Sequence, residues 1–229
     1  MREPRAGQQL EYWLHVPDGD APEDGWPVVL FLHGSGERGS DLAKVKVHGP
    51  PKLLGQIPEL ARAVVISPQC PSERWWIPEA LKALLDEVLE AQGGKIDRGR
   101  IYCTGLSMGG YGTWNMVANY PALFAAAAPI CGGGDPSRLK AEVVRKGVPD
   151  FDEARLRKAK DLPIWVFHGA ADTVVPQAES EMLIDVLRAA GSKEVKFTSY
   201  PGVGHDSWTR TYEDPEFYRW LFAQRRGGG

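Results

Sequence analysis

The chain has 229 residues, 43% of them hydrophobic and 25% charged, a balance that fits a folded domain and not a disordered one. Its 27 basic and 30 acidic residues leave a net charge of −3, without the basic excess that marks a nucleic-acid partner. The longest apolar stretches, residues 28–32 and 123–130, fall short of the ~18 residues a membrane span needs, so no membrane segment is expected.

Short apolar runs predict strands over residues 10–16, 28–32, 63–67, 100–104, 124–130, 164–167 and 195–200. Several are apolar at nearly every position, the pattern of strands covered on both faces. Between them lie helical patterns. In residues 78–92, Leu81, Leu84, Leu85, Val88 and Leu89 recur at the spacing of one helix face, with Pro78 at the start and Gly93-Gly94 at the end. Residues 108–119 and 177–190 read the same way, with Gly191 as a C-cap for the second. Strands alternating with helices predict one α/β domain over residues 1–229, built on a mostly parallel sheet. No repeat or low-complexity tract interrupts it. Residues 132–161 hold no strand pattern; they read as a solvated helical segment or as a small cap insertion over the C-terminal ends of the strands.

Cys70, Cys103 and Cys131 are odd in number and widely spaced, with no CxxC pair or Cys/His cluster, so no metal is expected. Cys103 and Cys131 lie in or beside apolar runs and read as buried thiols. The start, Met1-Arg2-Glu3-Pro4, has no apolar core, so no signal peptide is expected; a cytoplasmic protein and the mature domain of a secreted one both fit.

Gly105-Leu106-Ser107-Met108-Gly109 follows a predicted strand and opens a predicted helix, the context that turns a G-x-S-x-G pattern into a nucleophile elbow. Ser107 is the candidate nucleophile, and the Met108 N–H lies where a developing oxyanion needs a donor. A serine hydroxyl needs a base. Of the five histidines, His15 sits inside a strand pattern, His48 lies in a loop, and His33 and His168 end strands, where they tie loops to backbone groups. His205, in the glycine-containing loop after the last strand, is the candidate base. The acid then belongs between Ser107 and His205 in the chain: Asp172 after the strand 164–167, with Asp135 as its rival. Glycine-rich residues 34–39 after the strand 28–32 supply the second oxyanion donor, the Ser35 N–H. Trp75, Trp76 and Trp208 fall in loops at the same end of the sheet and are candidates for the walls of a substrate pocket.

Residues 31–37 (Phe-Leu-His-Gly-Ser-Gly-Glu), 105–110 (Gly-Leu-Ser-Met-Gly-Gly) and 167–172 (Phe-His-Gly-Ala-Ala-Asp) resemble the α/β-hydrolase superfamily. With Pro68-Gln69-Cys70-Pro71 and Gly204-His205-Asp206-Ser207-Trp208, they are more closely similar to its phospholipase/carboxylesterase branch, including polyhydroxybutyrate-depolymerase-like and feruloyl-esterase-like enzymes. The resemblance spans residues 10–222. It implies helices on both faces of the sheet and hydrolysis of carboxylic esters through an acyl-enzyme without cofactor; with no long apolar lid in the sequence, short-chain or aryl esters, small or polymer-linked, are the expected substrates. It also implies the Ser35 N–H as an oxyanion donor. A serine peptidase of the prolyl-oligopeptidase type shares the elbow and the order of the three residues and stands as the alternative.

Overall fold

The computed structural model describes residues 10–134 and 151–227. Seven strands form one sheet in the order β1-β3-β2-β4-β5-β6-β7: β1 (Tyr12–His15), β2 (Trp26–Leu32), β3 (Val64–Pro68), β4 (Ile96–Leu106), β5 (Ala126–Ile130), β6 (Ile164–Gly169) and β7 (Val195–Tyr200). Strand β1 runs antiparallel to β3, and every other pair is parallel. All seven lie where the apolar runs predict them, with β4 longer at both ends.

The doubly apolar strands have two cores to serve. Along β2, Val28, Leu30 and Leu32 face one core, and Val29 and Phe31 face the other. The first core is closed by α3 (Pro78–Gln92), α4 (Met108–Asn119) and α6 (Ala178–Ala189), whose Leu81, Leu85, Trp114, Leu183 and Leu187 are buried in it. The second is closed by the short helices α1 (Gly49–Leu53) and α2 (Pro58–Ala61) and by α7 (Trp208–Tyr212) and α8 (Pro215–Ala223). Strand β4 is flanked by β2 and β5, so the chain order turns back between β2 and β4, and crevices form outside the strand ends at such a reversal.

The predicted 78–92 and 108–119 helices stand as read. Helices α7 and α8 escaped the periodicity because they are short, although Asp214-Pro215-Glu216 marks the second: Asp214 accepts the Glu216 N–H at 2.8 Å, and Pro215 takes the first position. Within the 132–161 segment, residues 135–150, and Asp135 with them, lie outside the described residues. Its described flank forms α5 (Glu153–Leu156) and a 3₁₀ turn, and Leu156 and Ala159 are buried in the first core. All three cysteines are free and buried; burial pushes Cys70 and Cys103 up to about 12.

The chain's tail binds the other end of the sheet, where β2, β4 and β5 begin. Arg226 donates its N–H to Gly99 O and its guanidinium to Ala122 O, and Arg225 bridges Asp24 and Asp97 at 2.9 Å each. The Tyr102 hydroxyl donates to Gln224 O at 2.8 Å.

Candidate active site

Ser107 stands between β4 and α4 at φ 53° and ψ −116°, a left-handed conformation that a non-glycine residue adopts only where its surroundings impose it. The surroundings do so here. A methyl on Gly109 would collide with the Leu32 carbonyl, and one on Gly105 would stand 2.7 Å from the same oxygen. The helix can therefore begin against β2 only with glycine at these positions. Ser107 N–H donates to Ile130 O at 2.9 Å, which ties the turn to β5. Met108 is the first residue of α4, where the backbone N–H groups have no intrahelical acceptor and the helix dipole is positive.

The loops after β4, β6 and β7 bring the three predicted side chains together. His205 Nε2 lies 2.9 Å from Ser107 Oγ, and His205 Nδ1 lies 2.7 Å from Asp172 Oδ2. This fixes the tautomer: Nδ1–H donates to the carboxylate, and Nε2 accepts from the serine hydroxyl. Asp172 is held from both sides. Its Oδ1 accepts the Val174 and Val175 N–H groups at 2.8 and 2.9 Å, and its Oδ2 faces His168 Nε2 at 3.3 Å besides His205. Burial alone would raise its carboxyl, but the bonds from His168, His205 and Val175 outweigh it and hold the group well below the usual carboxylate range.

The loop after β2 reaches the same place. Gly34 packs on Ser107: a methyl built on its Cα would lie 3.7 Å from Ser107 Cβ. Ser35 follows as the first residue of a 3₁₀ turn, Ser35–Glu37, its N–H again at a position without an acceptor inside the helix. The strand end beneath is anchored by His33. Its Nδ1–H donates to Gly34 O at 2.6 Å, and its Nε2 accepts the Cys70 N–H at 3.0 Å.

The aromatic candidates divide. Trp208, half-buried at the start of α7, sets its ring edge-on to His205 with centroids 5.4 Å apart. Trp75 and Trp76 are not pocket walls. They are 4% and 2% exposed and belong to the first core, because α3 and α4 close over them. Trp76 Nε1–H donates to His33 O at 3.1 Å, and its ring packs on the His33 imidazole. Two further histidines stand near the site, and His168 ties the loop after β6 to a backbone group, Val175 O, as its place at a strand end predicts. His48 precedes the first residue of α1, faces Trp208 with ring centroids 5.6 Å apart and lies 3.8 Å from the Glu37 carboxylate. His168 contacts Asp172, and its place four residues before that acid was the available signal.

Comparison with known proteins fits this geometry. The family model described as the prolyl oligopeptidase family matches residues 83–224, more than half the chain and the stretch that holds all three side chains. The chain belongs to the prolyl oligopeptidase family. This member of the family is 28% identical over 218 residues to a poly(3-hydroxyoctanoate) depolymerase of Pseudomonas fluorescens, covering 86% of this chain and 74% of the relative. It is 27% identical to a probable carboxylesterase of Oryza sativa subsp. japonica, covering 92% of this chain and 93% of that one. Among solved structures, a thermostable esterase superposes with a TM-score of 0.75 at 35% identity. The match takes in 99% of this chain and 62% of the esterase's. The resemblance to α/β-hydrolase esterases read from the motifs is borne out by these relatives.

Proposed function

We propose that this prolyl oligopeptidase family member is a serine carboxylesterase that cleaves short-chain or aryl esters, small or polymer-linked. Ser107 Oγ attacks the ester carbonyl while His205 Nε2 takes its proton. The tetrahedral oxyanion accepts bonds from the Met108 and Ser35 N–H groups. His205 then gives the proton to the departing alkoxide, leaving an acyl-Ser107 and an alcohol. Water, deprotonated by the same nitrogen, attacks the acyl-enzyme, and the imidazolium returns that proton to Ser107 Oγ as the acid is released. Asp172 holds the imidazole in the tautomer that accepts from serine and stabilises the imidazolium formed at each step.

The observation that carries this reading is the unbroken line Asp172–His205–Ser107, at 2.7 and 2.9 Å, ending at the first turn of α4. The depolymerase, carboxylesterase and esterase relatives support the ester as the bond cleaved. The family's description favours a second reading, in which the same groups cleave peptides. Hydrolysis of p-nitrophenyl esters of graded chain length, methyl ferulate and peptide p-nitroanilides separates the two. The ester reading expects turnover of the esters, with kcat at least about 10⁴-fold lower in Ser107→Ala. Turnover confined to the anilides selects the peptidase, and full ester turnover in Ser107→Ala overturns both.

A further inference from the structure

His168 is wholly buried at the end of β6, and its hydrogen bonds can be counted. Nε2 lies 2.9 Å from Val175 O and 3.3 Å from Asp172 Oδ2. Nδ1 lies 2.8 Å from the hydroxyl of Ser180, in the first turn of α6 and equally buried. That hydroxyl in turn lies 2.8 Å from Gly132 O, beyond the end of β5. Three contacts (Val175 O with Nε2, Nδ1 with Ser180 Oγ, Ser180 Oγ with Gly132 O) each need one hydrogen. The two carbonyls can only accept, and the serine brings one hydrogen.

A neutral imidazole brings one more, two in all for three contacts. With the proton on Nε2, Ser180 must leave either Nδ1 or Gly132 O facing a lone pair at 2.8 Å. With it on Nδ1, the bare Nε2 faces Val175 O and Asp172 Oδ2 together. Protonating Asp172 does not mend this, since Val175 O remains without a donor. An imidazolium supplies both hydrogens and satisfies every atom, and the carboxylate beside it balances the charge. His33 is the contrast within the same protein: equally buried, it meets one acceptor and one N–H donor, and the neutral ring completes its set.

We propose that His168 is a buried imidazolium, a positioning residue that holds the Asp172 carboxylate and sets the acid limb of the reaction by acting on His205 through it. The proposal rests on the serine-hydrolase reading for its kinetic half only. One oxygen, Oδ2, meets both rings, so the fixed positive charge on one side opposes a second on the other. His205 therefore stays neutral, and able to accept from Ser107, to lower pH than Asp172 alone would allow. Among the other titratable groups near the pair, Cys131, just beyond β5, lies in the field of Asp172, and burial pushes its thiol up so that it stays uncharged. Asp206, next to His205, spends its carboxylate on the Thr209 N–H and hydroxyl. His48 stands beyond Trp208 with Glu37 beside it. Helix α6 presents the neutral Ser180 to the ring.

Two measurements on the full chain test this. Nitrogen NMR of histidine-labelled protein, with His168→Gln for assignment, is expected to show protons on both ring nitrogens of His168 from pH 5 to 8 while His205 titrates. A neutral tautomer of His168 in that range overturns the proposal. The pH profile of kcat/KM for p-nitrophenyl acetate is expected to move its acid limb upward by about one unit in His168→Gln. Ser180→Ala, which removes the acceptor for Nδ1–H with little loss of volume, is expected to move it the same way. Reduced stability with an unmoved acid limb in both variants reduces His168 to a packing residue and overturns the kinetic half. An unmodified enzyme with no ester hydrolysis would instead overturn the proposed function and leave the NMR result to stand or fall alone.

Discussion

A buried histidine that stays neutral in the fold and gains a proton on unfolding links stability to pH. Burial pushes His33 down to about 4 against its bond to Gly34 O, while the unfolded side chain titrates near 6.5. A folded-state value below the unfolded one means the unfolded chain binds the proton more tightly. The stability that His33 contributes is therefore complete above pH 6.5 and is lost as the pH falls toward 4. The full loss is about 3 kcal/mol, of which about 2 kcal/mol is gone by pH 5. Urea unfolding at pH 7.5, 6.5 and 5 measures it, and a His33→Gln protein is expected to have the flatter profile. At this scale the sequence was legible where chemistry dictates the residue. Ser107 and His205 follow from an elbow and a loop position, and Asp172 from chain order. His168 was legible only in part: its bond to a loop carbonyl, Val175 O, follows from its place at a strand end, but its contact with Ser180 of the next helix does not, and neither does that of His48 with Trp208.

At the scale of elements, the strand ends carry the precision of the site. The end of β2 holds Gly34 against Ser107, and it is pinned through His33 by Trp76 from the β3–α3 loop. Trp76→Phe keeps the ring but loses the indole N–H bond to His33 O. The expected cost, lost bond and cavity together, is about 2–4 kcal/mol of stability. If the oxyanion loop depends on that anchor, kcat falls about tenfold with KM little changed. Steady-state kinetics with one short ester, beside a urea titration, separates the two effects. Equal kcat in both proteins would assign Trp76 to packing alone. The central strands were readable because doubly buried segments must be apolar throughout, and α3 because seven buried residues mark its inner face. Trp75 and Trp76 were misread for a physical reason: a loop position in sequence does not reveal that two helices fold over it. The short turns at 35–37 and 42–46 and helices α1, α2 and α7 lack enough residues to display a period.

For the whole molecule, one sheet with a core on each face makes the two cores interdependent. Phe217 of α8 is 1% exposed in the core opposite α4 and packs edge-on to Tyr212 and Phe167. Phe217→Ala is expected to cost about 3–5 kcal/mol. Because β4 and β6 carry both that core and the loops of the site, ester activity and circular dichroism should disappear together at the lower midpoint. Activity lost well before the secondary structure would mean the faces melt separately. The tail's attachment gives the molecule a direction. Gln224, Arg225 and Arg226 are fastened where β2, β4 and β5 begin, the full length of a strand away from the elbow at the end of β4. A tether grafted after residue 227 would leave from the end of the sheet opposite the elbow. Coupling the protein to a bead or a carrier through that end would turn its reactive mouth outward, open to a substrate as large as a polymer surface.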